Sequence, residues 1–469
     1  MTEVLALDSC ERPRPMTYAK MSYQSAVERM YALGHELAQM PSHKFDLAHM
    51  RVLLAALNHP EQRFPSVLIA GTNGKGSTAA TLVSILQASG LRTGLYTSPH
   101  LMRINERIQI DGQPISDHQF ALLHDVVDRT AERLVGEGDL PWHPSFFEML
   151  TAIAFEHFAQ SAVEIAVLEV GMGGRLDATN VVEPRVSVIT DIALDHQKFL
   201  GDTIAEIARE KAGIIRRNGV VVTLPQTPQA NDVIGNTILE LDAHGVNAVP
   251  YVPPVSPASA EYLEAHAKNS KPVSRYPLQV RNKEILVQSP LIGRHQLRNI
   301  ALAIAAAEEL GKQGFAVTPN SIERGIRDTR WPGRFEVIPA TQDAPEYVFD
   351  VAHNPAGAWA LRSTLSAIYE GRKLIFVFGA MRDKAIGEMA EILFPLADRV
   401  ILTRAENPRS ASPAEIRAAA RINSEIQDAE PVGMALEQAR TAAGANGVVV
   451  ITGSIYLVGE AMRMIGVRI

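Results

Sequence analysis

Cysteine is almost absent from this 469-residue chain, which contains only Cys10. An internal disulfide and a metal site built from several thiolates are therefore excluded. Long apolar runs are absent too, since no stretch reaches the roughly 18 consecutive apolar residues that a membrane-spanning helix needs. The first 20 residues include Glu3, Asp8 and Glu11 and lack a continuous apolar segment, so they do not match a signal peptide. We therefore expect a cytoplasmic protein without membrane association.

The chain also lacks an excess of positive charge. Lys and Arg total 45 against 52 Asp and Glu, which gives a formal net charge of −7. Nucleic acid and anionic membranes are therefore not expected as partners, although a local basic pocket could still bind an anionic substrate. With 46% hydrophobic and 21% charged residues, the composition is typical of a globular protein, and the length predicts two or three domains.

The most informative stretch joins an apolar run at residues 67–70 to a glycine-rich segment. That segment reads Gly71-Thr72-Asn73-Gly74-Lys75-Gly76-Ser77-Thr78. Apolar residues then recur at helical spacing as far as Gly90, which predicts a strand, a glycine-rich turn and a helix. Backbone N–H groups of such a turn can close on phosphate oxygens, and the helix N-terminus adds a partial positive charge. The stretch therefore predicts a phosphate-binding loop.

Lys75 and two hydroxyl groups supply the chemistry expected of this loop. Lys75 would reach the β- and γ-phosphates of a nucleotide, and Ser77 or Thr78 would offer a hydroxyl to Mg²⁺. The general pattern for such loops has glycine where this chain has Ala70, and Ser or Thr where it has Gly76. An ordinary glycine turn between a strand and a helix therefore stays open as an alternative at this point.

Strands alternate with helices along the whole chain, which predicts an α/β fold with a mainly parallel, doubly wound sheet. We expect residues 1–20 to form a loose tail. Residues 21–330 would form a first domain with a proline-rich surface excursion at 250–277, and residues 331–469 a second, smaller α/β domain.

The individual elements follow from the apolar spacing. Strands are predicted at 67–70, 92–97, 162–170, 185–190, 220–224, 347–349, 374–378, 400–403 and 448–452. Helices are predicted at 23–40, 46–57, 79–90, 117–135, 145–159, 203–217 and 296–310, with a short one near 261–267. Ser145 is a predicted N-cap, and Thr203 with Glu206 a predicted capping box.

Polar residues near the ends of these strands are candidates for catalysis. Glu169 ends a predicted buried strand, and Asp195-His196 follows the next one. Ligands of such sheets gather at the carboxyl ends of the strands. Lys211 lies in the helix that comes next. Taken singly, each residue has an ordinary alternative: a salt-bridged Glu, a structural His and a solvated Lys.

Together these segments are similar to those of one family. Residues 169–180 read EVGMGGRLDATN, residues 194–197 read LDHQ, and residues 210–215 read EKAGII. With the glycine-rich loop, and in this order, they resemble the folylpolyglutamate synthase and dihydrofolate synthase family, relatives of the Mur ligases. The resemblance covers roughly residues 45–455. It implies a P-loop-containing central domain of the Mur ligase type and a smaller C-terminal Rossmann-like domain that closes on ATP and binds glutamate.

The resemblance implies a two-metal site. Glu169 and His196 match metal ligands of the family, and Lys211 matches a lysine that is carbamylated. Carbamylation turns a cation into an oxygen ligand, which suits Mg²⁺. With Ser77, this set would hold two Mg²⁺ ions. A monovalent cation of open identity is a further candidate cofactor.

Later segments imply how ATP is held. The segment at residues 293–299, GRHQLRN, matches a family segment whose Asn contacts the adenine, which assigns that role to Asn299. The segment at residues 333–336, GRFE, would bring Arg334 to the phosphates, where it joins Lys75 as a catalytic cation. The segment at residues 349–355, FDVAHNP, would hold the ribose and the adenine through Asp350 and His353. The complete ATP-binding set is Gly71, Thr72, Asn73, Gly74, Lys75, Gly76, Ser77, Thr78, Asn299, Arg334, Asp350 and His353.

The family implies an ATP-dependent ligase that forms an amide. The carboxylate of the acceptor takes the γ-phosphoryl group of ATP, and the amine of L-glutamate attacks the resulting acyl phosphate. Dihydropteroate as acceptor gives dihydrofolate, and reduced folates give folylpolyglutamates. The segment around Asp177 looks most like bifunctional members, in which this position lies near the pterin; capping a turn is its alternative role. The family also implies a monomer.

Other functions stay open. A folylpolyglutamate synthase without dihydrofolate synthase activity is the nearest alternative. A muramyl-peptide ligase is disfavoured, because only 66 residues precede Val67 and its UDP-binding domain would need more. A P-loop kinase or hydrolase would release ADP without forming an amide, and a non-catalytic scaffold would bind ATP without turnover.

Overall fold

The computed structural model describes residues 21–34, 47–254, 271–420 and 426–467. The tail expected at 1–20 and the short helix predicted near 261–267 lie outside these ranges. The described chain contains an eight-stranded sheet, a six-stranded sheet and a two-stranded hairpin, with helices between the strands, so the predicted α/β class is confirmed. Within the described ranges, no helix combines the length and the apolar character needed to cross a membrane.

The larger sheet contains the strand that leads into the glycine-rich loop. Its strands are β1 (Ser66–Ala70), β2 (Thr93–Tyr96), β3 (Ile108–Ile110), β4 (Gln113–Pro114), β5 (Ile165–Glu169), β6 (Val186–Ile189), β7 (Val220–Thr223) and β8 (His244–Asn247). Their order across the sheet is β4-β3-β2-β5-β1-β6-β7-β8. The β2–β3 and β3–β4 pairings are antiparallel, and the other pairings are parallel.

Burial explains why five of these strands were predicted from the sequence, whereas β3, β4 and β8, which are partly or fully exposed, were not. Every residue of β1 and β5 is buried. Strands covered on both faces read as unbroken apolar runs. Because β1 pairs in parallel with both β5 and β6, the loops that follow these three strands open at one edge of the sheet.

The predicted helices of this part of the chain are confirmed with differences at their ends, whereas the helices Gln197–Leu200, Pro228–Glu240 and Pro319–Asp328 were not predicted. Ten helices of the described residues are associated with this sheet. They are α1 (Tyr23–Ala32), α2 (Leu47–Ala56), α3 (Lys75–Ala88), α4 (Asp117–Glu137), α5 (Phe146–Gln160), α6 (Gln197–Leu200), α7 (Ile204–Ala212), α8 (Pro228–Glu240), α9 (Arg294–Lys312) and α10 (Pro319–Asp328). The predicted caps of α5 and α7 are confirmed, each with a reciprocal Glu bond. α1 already ends at Ala32, and residues 35–40 of the predicted helix lie outside the described ranges. α7 ends five residues before the predicted end at 217, because the chain turns at Gly213 to bury Ile214 and Ile215.

A hairpin follows α8 that the sequence analysis did not predict. It consists of β9 (Ser274–Val280) and β10 (Lys283–Ser289) in antiparallel register. Tyr276 and Leu278 are buried in the same core as β1. The expected surface excursion at 250–277 is therefore wrong for its last residues. Pro277 is exposed in this two-stranded hairpin. Proline has no backbone N–H to donate to a neighbouring strand, and an edge strand tolerates that loss.

The second sheet is smaller and also mainly parallel. Its strands are β11 (Glu336–Ile338), β12 (Glu346–Phe349), β13 (Leu374–Phe378), β14 (Arg399–Leu402), β15 (Ile426–Asp428) and β16 (Val448–Thr452), in the order β11-β12-β16-β13-β14-β15. Its helices are α11 (Pro355–Ile368), α12 (Ile386–Leu393), α13 (Pro413–Ala420), α14 (Val432–Ala443) and α15 (Ile455–Ile465). The four predicted strands are confirmed. The short edge strands β11 and β15 were not predicted.

Candidate active site

The glycine-rich loop lies where β1 ends and α3 begins. Gly74 caps α3 with a φ of 88°, a conformation that favours glycine. Thr72 N and Asn73 N donate hydrogen bonds of 2.8 and 3.2 Å to Asp191 O, which lies just beyond β6. The loop is thereby fixed to the neighbouring strand, and the N-terminus of α3 opens at the carboxyl edge of the sheet.

Two glycines of the loop lie against side chains from later in the sequence. A Cβ atom on Gly74 would lie 2.2 Å from Asn299 Oδ1, and one on Gly76 would lie 2.6 Å from Trp331 Cζ2. Neither position has room for a side chain unless its neighbour moves. The loop therefore presents bare backbone, and this geometry is compatible with a phosphate cradle.

The polar side chains of the loop are only loosely held. Lys75 Nζ donates a long hydrogen bond of 3.4 Å to Thr72 O, so the ammonium is available to an anion. Ser77 is buried, and its hydroxyl makes no hydrogen bond within the described part of the chain. Thr78 Oγ1 is likewise buried without a partner in that part of the chain.

Glu169 is the last residue of β5 and is buried beside the loop. Its Oε2 accepts a 3.2 Å hydrogen bond from Ser98 N. Burial raises the pKa of Glu169, and the positive charges of Lys75 and Arg334 act against that rise. The buried carboxyl group of Glu169 is therefore influenced by one cation before β5 and one far beyond it in the sequence.

Lys211 is on α7, and its side chain is buried against the glycine-rich loop. Nζ donates a 2.7 Å hydrogen bond to Gly71 O. Burial, together with the positive charge of Lys75, lowers the pKa of Lys211 to about 7. A large fraction of this amine is therefore neutral near pH 7, and the neutral amine is the form that can react with CO₂.

Asp195 connects the two sheets. Its Oδ1 accepts a 2.7 Å hydrogen bond from Lys384 Nζ, with only 10% and 8% of the two side chains exposed. His353 Nε2 lies 3.8 Å from Asp195 Oδ2, and Asn354 Nδ2 donates a 2.9 Å bond to Asn73 Oδ1. Lys384, His353 and Asn354 all come from the second sheet and its loops.

The electrostatics of this junction are governed by burial and by the ion pair. Burial acts to raise the pKa of Asp195, but the charges of His196, Lys384 and His353 outweigh it and hold the pKa below its usual value. Burial and the nearby Lys384 charge lower the pKa of His196 to about 4. His196 is therefore neutral at physiological pH, which leaves it able to act as a ligand through nitrogen.

The second sheet contributes further polar residues at the ends of its strands. Asp350 directly follows β12 and accepts 2.9 Å bonds from Phe335 N and Ala352 N. Burial raises its pKa to about 6. His353 Nδ1 donates to Val351 O at 2.9 Å, and burial lowers the pKa of His353 to about 4.

Residues from the glycine-rich loop and from the ends of strands in both sheets line one cavity of about 1430 Å³. One end is charged and polar. Its lining includes every residue of the predicted catalytic, metal and nucleotide sets except Thr78. The other end is lined by the apolar residues Leu33, Leu47, Met50, Trp142, Pro144, Phe146, Phe147, Met172 and Leu176, with His143, Ser145, Glu148, Arg175 and Asp177 from the same segments. The cavity can therefore hold a polyanion at one end and a flat, largely apolar group at the other.

Comparisons with known proteins agree with this arrangement. Residues 146–307 match the Mur ligase middle domain, and residues 333–455 match the glutamate ligase domain of Mur ligases. The dihydrofolate synthase/folylpolyglutamate synthase of Bacillus subtilis is 34% identical over 419 residues, which are 89% of this chain and 94% of that protein. The Escherichia coli protein of the same name is 34% identical over 438 residues, covering 92% and 94%.

This chain belongs to the dihydrofolate synthase/folylpolyglutamate synthase family. A solved structure supports the same assignment. The folylpolyglutamate synthase of Mycobacterium tuberculosis, complexed with ADP and AMPPCP, matches with a TM-score of 0.82 and 33% identity over 94% of this chain and 99% of that one. The chain is an ATP-dependent ligase related to the Mur ligases, as the sequence predicted.

The residues predicted to hold Mg²⁺ in this family member have compatible chemistry. Ser77 Oγ and Glu169 Oε1 make no hydrogen bond within the described residues, so both oxygens are available to a hard cation. No cluster of three or more His, Cys, Asp or Glu side chains suited to a metal occurs in the same residues. A complete ligand set would therefore need Ser77 and a modified Lys211, together with oxygens of the substrate phosphates.

Asp177 has the capping role that the sequence analysis gave as its alternative. Its Oδ1 accepts from Thr179 N and Thr179 Oγ1, and its Oδ2 accepts from Gly171 N and Met172 N, all at 2.5 to 3.1 Å. These four bonds occupy the carboxylate and shape the loop after β5. Asp177 also lines the apolar end of the cavity, so its predicted contact with a pterin stays a prediction.

Several residues of the site were missed. Lys384 follows β13, and Ser98 follows β2. Arg298 binds Asp191 with a shortest N–O distance of 2.6 Å, and Asn354 bridges to the glycine-rich loop. The position of Lys384 after a parallel strand was a usable signal. The Ser98 and Arg298 contacts lie within the first sheet and its helices, and the Asn354 contact depends on how the two sheets meet; residue spacing encodes none of them.

Proposed function

We propose that this ligase joins L-glutamate to the carboxylate of dihydropteroate, forming dihydrofolate, and to reduced folates, forming folylpolyglutamates. The observation that carries the proposal is the two-ended cavity. Its charged end suits the triphosphate of ATP and the acceptor carboxylate, and its apolar end suits a pterin ring. The names of the relatives from Bacillus subtilis and Escherichia coli support both activities.

In this reaction the protein mainly neutralises the negative charge of the phosphates, and it forms no covalent bond to the substrate. An oxygen of the acceptor carboxylate attacks the γ-phosphorus of ATP, and the bond to the β-phosphate oxygen breaks to give ADP and an acyl phosphate. Lys75 and Arg334 stabilise negative charge at the transferred phosphoryl group. The amine of glutamate then attacks the acyl carbon, phosphate leaves, and one proton is lost from nitrogen.

Mg²⁺ would be held by Ser77, Glu169, His196 and Lys211 in its carbamylated form, and two ions would supply further positive charge at the phosphates. In this proposal Asn299 contacts the adenine, and Asp350 and His353 contact the ribose and adenine. Residues 21–330 and 331–469 act as two domains that close on the nucleotide and exclude water from a hydrolysable intermediate.

Four further expectations stay predictions: the cytoplasmic location, the monomeric state, the absence of nucleic acid as a partner and a monovalent cation as cofactor. A ligase restricted to folylpolyglutamate synthesis is the second candidate. The observation that favours it is the Asp177 carboxylate, whose four internal hydrogen bonds leave little capacity for a pterin.

Release of ADP with separate acceptors tests the proposal. The protein is supplied with ATP, Mg²⁺ and L-glutamate, together with either dihydropteroate or tetrahydrofolate. We expect glutamate-dependent ADP release with both acceptors. Turnover with tetrahydrofolate alone would establish the second candidate, and ADP release that ignores glutamate and both acceptors would contradict ligation.

A further inference from the structure

Trp331 lies in the segment between α10 and β11, beside the glycine-rich loop. Its indole is partly buried and packs against the core that contains β1. The edge of the ring faces Gly76: a Cβ atom on that residue would lie 2.6 Å from Cζ2, 3.0 Å from Cε2 and 3.2 Å from Nε1. Trp331 Nε1 is buried and has no hydrogen-bond partner within the described residues. Packing contacts, and not a hydrogen bond of Nε1, therefore hold the indole in place.

The same ring lies beside Arg334. The guanidinium carbon of Arg334 lies 5.7 Å from the centre of the Trp331 ring, within the range of a cation–π contact. The hydrogen bond of Arg334 within the described chain is a long one, 3.5 Å from Nη1 to Pro332 O. Side-chain hydrogen bonds therefore do little to fix this guanidinium, although Arg334 lines the same cavity as Lys75 and Asp350.

We propose that Trp331 is a positioning residue that sets Arg334 at a fixed distance from the phosphate loop, with one part of the indole against Gly76 and its face toward Arg334. The role of Arg334 at the phosphates rests on the proposed function. The contact between Trp331 and the glycine-rich loop does not depend on the proposed function, because it is a packing contact within the chain.

Glycine at position 76 is consistent with this inference. Gly76 lies in the first turn of α3, and alanine in a helix is more favourable than glycine by about 1 kcal/mol. Local helix stability alone would therefore favour a larger residue. The close approach of the indole gives a reason for glycine here: a methyl group would push Trp331, and with it Arg334, away from the loop.

Binding of a non-hydrolysable ATP analogue in the presence of Mg²⁺ tests the proposal, because calorimetry reports affinity whether or not ligation occurs. The variants are Trp331→Ala, Trp331→Phe, Arg334→Ala and the double variant Trp331→Ala/Arg334→Ala. The matched control is Trp359→Ala, since Trp359 is 58% exposed and has Arg362 at the same 5.7 Å from its ring. Thermal unfolding of each variant checks that it is folded.

We expect Trp331→Ala to weaken binding about tenfold, the size of a partly desolvated cation–π contact with its packing. Trp331→Phe, which keeps an aromatic face for Arg334, should bind within about threefold of the natural chain, and Trp359→Ala should bind normally. The double variant should bind like Arg334→Ala alone, because Trp331 acts through that arginine. Additive losses in the double variant, or a loss in Trp331→Phe as large as in Trp331→Ala, would overturn the proposal.

Discussion

The two ends of the cavity are built in different ways. The charged end takes its residues from the carboxyl ends of strands in both sheets, from the loops that follow them and from nearby helices. Glu169, Lys211 and His353 are buried there with shifted pKa values. The apolar end takes its residues from α2, α5 and the loops around them, and it consists of side chains that would also suit a core. Phosphate chemistry requires particular residue types at fixed spacing, whereas an apolar surface requires only size and shape.

This difference predicts that variants at the two ends lose activity for different reasons. Changes at the charged end should reduce the chemical step, and changes at the apolar end should weaken binding of the acceptor. Lys211→Ala and Phe147→Ala test this contrast directly, and Asp195→Asn and His143→Gln test what the two ends contribute to stability. The four variants follow in order of decreasing effect.

Lys211→Ala should have the largest effect. Loss of the lysine that is proposed to become a metal ligand should lower glutamate-dependent ADP release by about 10²–10³-fold, the scale of losing one group that stabilises transferred charge. Affinity for the ATP analogue should stay largely intact. Lys312→Ala, an exposed lysine on α9, is the control for loss of a positive charge. Normal turnover in Lys211→Ala would show that this lysine is not a metal ligand.

Asp195→Asn should destabilise the folded protein. The substitution leaves the buried Lys384 ammonium without its carboxylate, which costs about 3 kcal/mol when a buried pair is broken. Chemical denaturation measures the effect, and the double variant Asp195→Asn/Lys384→Met should recover most of the loss. An unchanged denaturation midpoint in Asp195→Asn would mean that this ion pair does not join the two sheets.

Phe147→Ala tests the apolar end. Phe147 is half-buried and lines the cavity, so its loss should raise the KM for the pterin acceptor about tenfold through lost aromatic contact. The KM for ATP should not change. Phe315→Ala is the matched control, because Phe315 is also half-buried but packs outside the cavity. A rise in the KM for ATP equal to that for the acceptor would contradict the division into two ends.

His143 should give the smallest effect, and one that depends on pH. Nε2 lies 3.1 Å from Asp128 Oδ1 and Nδ1 lies 3.0 Å from Pro144 O, so both nitrogens donate only when the ring is protonated. The hydrogen bond to Asp128 raises the pKa of His143, with burial acting against it. The stabilisation is therefore complete below the unfolded pKa of about 6.5 and is lost as the pH rises through the folded pKa.

We expect His143→Gln to lower the free energy of unfolding by about 1 kcal/mol at pH 6 and by less at pH 9. Denaturant unfolding at both pH values gives the difference. His118→Gln, which changes an exposed histidine on α4, is the control and should show no such trend. A loss that is the same at both pH values would mean that His143 is held by packing and not by its charge.

The sequence predicted the α/β class, the main strands of both sheets and the family because these depend on local patterns. Buried parallel strands leave unbroken apolar runs, and the phosphate loop has a fixed order of residue types. The hairpin β9–β10 was missed because Pro272 and Pro277 argued against strands, although edge positions tolerate proline.

The contacts that join the two sheets could not be predicted. Lys384 reaches Asp195 over 189 positions of sequence, and Trp331, from the segment that connects the two sheets, packs beside Gly76. Neither contact has a local signature, because each depends on how two separately formed surfaces meet. The residues of the apolar end were missed for a different reason: Phe146 and Phe147 have the spacing of an ordinary core helix.

Transfer of oxygen from the acceptor to phosphate tests the central claim most directly. The acceptor carboxylate is labelled with ¹⁸O and incubated with the protein, ATP, Mg²⁺ and L-glutamate, and the released phosphate is analysed by mass spectrometry. Ligation through an acyl phosphate predicts one ¹⁸O atom in each phosphate, because the carboxylate oxygen that attacked phosphorus leaves with it. Unlabelled phosphate would show that water, and not the acceptor, receives the phosphoryl group, and would contradict the account.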